Sequence, residues 1–96
     1  MLVKLTEVCG TGVVTIGNKY TLREVFVNPK HVVMVREELH MRQLNEQGMI
    51  SDGLNSEHRF SKLIINKGQS GSEIIVVGAP ERIESILQVS KKVLRG

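Results

Sequence analysis

The chain has 96 residues, 41% hydrophobic and 24% charged, with two prolines and a net charge of +3. That length holds one domain, residues 1–96, and the composition excludes disordered and collagen-like classes. Aromatic residues make up 3%, so the expected core is aliphatic, and no apolar run reaches the ~20 residues that a membrane span needs.

Strand signals dominate the first third. Leu2–Val8 alternates, with Val3 and Leu5 on one face and Lys4 and Thr6 on the other. Cys9, Gly10, Thr11 and Gly12 read as an interruption, after which Val13–Ile16 resumes briefly before Gly17 and Asn18. Tyr20–Val27 is the next strand. Asn28 and Pro29 end it, because proline lacks the ladder N–H and forces the residue before it into extended or turn geometry. His31–Arg36 follows, and the four apolar residues Val32–Val35 suggest a strand covered on both faces.

Residues 37–60 change character. Leu39, Met41 and Leu44 are loosely periodic and suit a helical turn or two, but Gly48, Asp52, Gly53, Asn55 and Ser56 break the pattern. The segment reads as a long insertion or extended hairpin tip, and loops of that length are usually functional or disordered. Strands return at Lys62–Asn66 and Glu73–Val77, separated by a glycine-containing turn over 67–72. The last element is a helix over 80–95. Pro80 suits its first position, Glu81 complements the N-terminal dipole, and Lys91, Lys92 and Arg95 complement the other end. Ile83, Ile86, Leu87, Val93 and Leu94 form its apolar stripe, and Gly96 suits a stop. The expected fold is mostly β with one covering helix.

The residues offer little to an enzyme. His31, His40 and His58 have no metal-ligand spacing with Cys9 or with each other, and loop histidines are the simpler reading of His40 and His58. Gly10–Gly12 leads into a strand, not into the helix N-terminus that a phosphate turn requires, and the segment from Gly68 to Ser72 fails in the same way. Glu37, Glu38 and Glu46 read as a solvated face. Cys9 shows no signature of an activated nucleophile. No cofactor, no metal site and no catalysis are expected. A lone cysteine and an N-terminus without the basic-then-apolar form of a signal peptide point to a reducing, cytoplasmic location. The basic surplus is uneven: residues 1–35 carry four Lys/Arg against two Glu, and residues 36–60 carry three Arg against five acids. Such an excess permits nucleic-acid binding without demanding it.

Two blocks carry a resemblance. Val25–Val35, an apolar strand, an Asn-bearing turn and another apolar strand, is similar to the first conserved block of the Sm-like family, which includes the Sm and LSm proteins and the bacterial Hfq chaperone. Leu63–Gly68 resembles the second, with Lys67 where arginine is more usual. A small flagellar-protein family shares the strand–Asn-Pro–strand opening. The chain departs from the Sm pattern in its C-terminal helix, its long insertion and the lack of an acid before the Asn nearer than Glu24. A divergent, phage-encoded member fits such departures. The resemblance implies a five-stranded, strongly bent small barrel, a ring of copies joined through the last two strands as open edges, and single-stranded RNA bound at the pore. By that resemblance Asn28 would meet a base edge, Lys67 a phosphate and Gly68 a closely approaching backbone, with Lys30 and His31 adding charge and a stacking ring. The competing reading is an oligomeric structural module without RNA, docking a protein partner through residues 37–60.

Overall fold

A computed structural model describes residues 2–10, 20–50, 54–68 and 70–95, the side chains of 67, 70 and 90–95 excepted. The expected strand at Val13–Ile16, the turn at Gly17–Asn18, the Asp52–Gly53 break, Gly96, and the side chains of Lys67, Lys91, Lys92, Val93, Leu94 and Arg95 lie outside that description.

Five antiparallel strands form one sheet in the order β2-β1-β5-β4-β3. β1 (Val3–Gly10) and β2 (Tyr20–Val27) pair from Val3 opposite Val27 to Gly10 opposite Tyr20. Cys9 and Gly10 therefore continue the first strand instead of interrupting it, because Thr21 and Tyr20 lie opposite to accept them. β4 (Phe60–Lys67) and β5 (Ser70–Val77) form a tight hairpin. The expected six-residue turn is shorter, since Ser70, Gly71 and Ser72 already pair with Lys67, Asn66 and Ile65. Gly68, at φ 79°, supplies the left-handed backbone that this tight reversal needs. β5 joins the two halves through β1, with Glu7 opposite Val76.

Two expectations about the edges are overturned. The last two strands are interior: β5 lies between β1 and β4, and β4 between β5 and β3. Leu63 and Val76 are fully buried there. The edges are β2 and β3 (Val32–Glu37), and among the described residues these do not pair with each other, so the sheet is not closed. Nor is β3 covered on both faces, since Val33 is 60% and Met34 44% exposed. A run of apolar residues reports local β preference, whereas strand order is set by long-range pairing that the run does not encode.

Alternation puts Val3, Leu5, Val27, Leu63, Ile65 and Val76 on one face, where Ile83 and Leu87 of the C-terminal helix α2 (Pro80–Arg95) cover them. The expected helix and the first part of its stripe thus hold. Residues 37–50 and 54–60 do not project as a free tip. Glu37 ends β3, Phe60 begins β4, and between them an eight-residue helix, α1 (Leu39–Glu46), turns Met41 inward. Met41 and Ile50 pack with Val8 and Phe60 into a second core on the opposite face of the sheet. A helix this short is not stable alone, so packing holds it. The buried Asn45 amide donates to the Asn55 carbonyl at 2.8 Å and ties down the returning chain.

Arg59 links three parts of this frame. Its guanidinium grips both oxygens of Glu37 at 2.8 and 3.0 Å and reaches Glu81 at the start of α2 at 3.4 Å. This pairing holds the Glu37 carboxyl below the ordinary carboxylate range, the hydrogen bond from Arg59 being the main cause. No helix of the described residues is long and apolar enough to cross a membrane.

Candidate nucleic-acid interface

The turn from β2 to β3 is a single 3-10 turn, Pro29–His31, and its sequence explains its shape. Pro29 sits at the first helical position, where no N–H is needed, and is fully buried. Asn28 caps the turn: its side-chain oxygen accepts the Lys30 N–H at 3.0 Å, and its carbonyl accepts the His31 N–H at 3.0 Å. With that oxygen engaged, the amide NH2 of Asn28 is the end of the side chain left to donate. Lys30 projects into solvent, and His31 is half-buried.

Asn28 and His31 line a cavity of about 520 Å³ with Val25, Val27, Ile65 and Ser72. The cavity lies where the open sheet leaves β2, the turn and the β4–β5 hairpin facing one another. Ser72 pairs with Ile65, and Lys67 with Ser70 two residues further along, roughly 7 Å at strand spacing. The turn at Asn28 and the hairpin leading to Lys67 and Gly68 are therefore brought to one end of the domain. Four of the five residues expected in the site, Asn28, Lys30, His31 and Gly68, have described side chains or backbone at that end; the Lys67 side chain lies outside the description.

Two neighbours escaped the sequence reading. The sequence puts Ser72 in a turn, and only the hairpin register places it in the cavity wall. Phe26, one of three aromatic residues in the chain, stands at the lip, 58% exposed. The alternation of Val25 and Val27 inward was the signal that could have found it.

Among the described residues, most cations are paired. Lys4 pairs with Glu24, Arg23 with Glu7, Arg42 with Glu46, Lys62 with Glu73 and Arg59 with Glu37 and Glu81. Among the described residues, the cations outside any ion pair are Lys30, Arg36 and Arg82. No group of three or more His, Cys, Asp or Glu among the described residues could hold a metal ion. Burial pushes the Cys9 thiol above its ordinary range, and the neighbouring Glu7 carboxylate adds to the effect, so the thiolate that would act as a nucleophile is disfavoured.

The chain matches no known family model, no characterised protein and no solved structure.

Proposed function

We propose that this chain is a non-catalytic module that binds single-stranded RNA at the end of the sheet formed by the Asn28 turn and the β4–β5 hairpin. The observation that carries the reading is the cavity that unites Asn28 and His31 with Ile65 and Ser72, beside an unpaired, exposed Lys30. A concave site with an apolar floor and a few convergent polar groups suits an unstacked base, and adjacent cations suit its phosphates. The resemblance of Val25–Val35 and Leu63–Gly68 to the Sm-like blocks agrees with this use of the same two turns. Copies of the chain associate through the open edges β2 and β3, where Val33 and Met34 expose apolar surface on an edge strand.

Docking through residues 37–60 is the less favoured reading, because Met41, Ile50 and Phe60 of that segment are core. The test is fluorescence anisotropy with labelled single-stranded RNA at several salt concentrations, for the parent chain, Lys30→Ala and Lys67→Ala. Each substitution is expected to weaken binding similarly across sequences and to reduce the slope of log K against log salt by about 0.7. Parent-like affinity and slope in both variants would overturn the site.

A further inference from the structure

A second groove, about 550 Å³, lies beyond the lip of the cavity and is lined by Lys4, Thr6, His58, Arg59 and Arg82 near the start of α2, with Glu57 as its one carboxylate. The two concavities are adjacent in the sheet. Phe26 at the lip of the first stands directly opposite Lys4 in the β1–β2 register. Residues opposite each other share a face, with their β-carbons about 5 Å apart. An exposed aromatic ring is thus followed immediately by a lysine and then by a groove.

We propose that this groove is a second binding site for single-stranded RNA, in which Phe26 stacks a base on the ridge and Lys4 and Arg82 hold the phosphates that follow. The inference rests on the reading of the Asn28 turn as the first contact. Arg59 is left out of the proposal because three of its five N–H donors are engaged by Glu37 and Glu81, whose carboxylates offset its charge. Arg82 is exposed and outside any ion pair among the described residues. Lys4 meets Glu24 only at 3.7 Å, with both side chains at least 60% exposed, and a pair of that kind contributes little and yields readily to a phosphate. A flat ring flanked by exposed cations is the recurring platform for single strands, and it tolerates any base, since every base has a π-face. Phe26 lies two residues, roughly 7 Å, from Asn28, and Lys4 one strand spacing, roughly 5 Å, beyond it, so a dinucleotide seated at the Asn28 turn stops before the groove and a longer strand reaches it.

The experiment measures the affinities of a labelled dinucleotide and a labelled 12-mer of single-stranded RNA for the parent chain, Phe26→Leu and the double variant K4E/R82E, with circular dichroism confirming the fold of each. In the parent chain the 12-mer is expected to bind at least about tenfold more tightly than the dinucleotide. In K4E/R82E that ratio falls toward one, and in Phe26→Leu it falls by several-fold. A parent ratio near one, or a ratio that all three proteins share, overturns the second site while the Asn28 site stands. Failure of both RNAs to bind any of the three proteins overturns the first site and the second together. A groove that instead captures an acidic peptide, with the RNA ratio unchanged by K4E/R82E, overturns the assignment to RNA.

Discussion

Met41→Ala is the substitution that separates a packed α1 from a detached insertion. Met41 is 3% exposed and packs with Val8, Ile50 and Phe60, with Leu44, Leu54, Ile75 and Val77 around them. Truncation removes three heavy atoms and leaves a cavity, for which buried Met→Ala changes cost about 2–5 kcal/mol. Several neighbours here are only partly buried and can move inward, so the lower part of that range, about 2–3 kcal/mol, is expected. In a domain of this size each kcal/mol moves the melting temperature by roughly 4–8 °C, giving a fall of about 8–24 °C. Leu39→Ala is the control on the same helix, because Leu39 is 58% exposed and should change stability by less than about 0.5 kcal/mol. Urea unfolding followed by circular dichroism measures both. Equal stability of Met41→Ala and Leu39→Ala would refute the second core and return residues 37–60 to the role of a free arm.

Gly78, at φ 131°, marks the entry to α2, and a β-carbon there would stand 3.0 Å from Cδ1 of the buried Ile83. Gly78→Ala is expected to cost about 1–3 kcal/mol in urea unfolding. Gly48→Ala, at φ 76° with open space around it, should cost less because only its backbone is strained; equal costs would refute the contact with Ile83. Glu37→Gln should lower the urea midpoint at pH 7, and the gap to the parent should shrink as pH falls. The sign follows from the depressed carboxyl: its contribution is complete above the unfolded value, about 4.3, and is lost as pH falls through the lower folded one. A gap that stays constant from pH 7 to pH 3 would show that Arg59 does not favour the ionised form.

Local structure was legible where local chemistry decides it. Val3, Lys4 and Leu5 announce their faces by alternation, and Pro80, Glu81 and the Ile83–Leu87 stripe announce α2. The Asn28–Pro29 turn was equally plain, since its capping hydrogen bond is made within three residues. What escaped depends on distant pairing. Nothing in Val32–Val35 says that the strand ends at an edge, and nothing in Leu63 or Ile74 says that their strands are interior; those properties come from β1 meeting β5. The helix α1 was visible only as weak periodicity, because Val8 and Phe60, far off in sequence, give Met41 its reason to turn inward. The candidate site divides in the same way. Asn28, Lys30 and His31 were read from a contiguous turn, whereas Ser72 joins them only through the register of a hairpin. Phe26 was within reach of the period-two pattern, but Arg82, which lines the other groove, belongs to another element and has no such signal.

The central claim is that single-stranded RNA meets the Asn28 turn and the β4–β5 hairpin. The most direct test is to titrate isotope-labelled, nuclease-treated protein with a short single-stranded RNA and follow the backbone amides by NMR. The account predicts shifts concentrated at Asn28, Lys30, His31, Gly68 and Ser72, with α1 unmoved. No shifts at saturating RNA, or shifts concentrated on Leu39–Glu46, would contradict it.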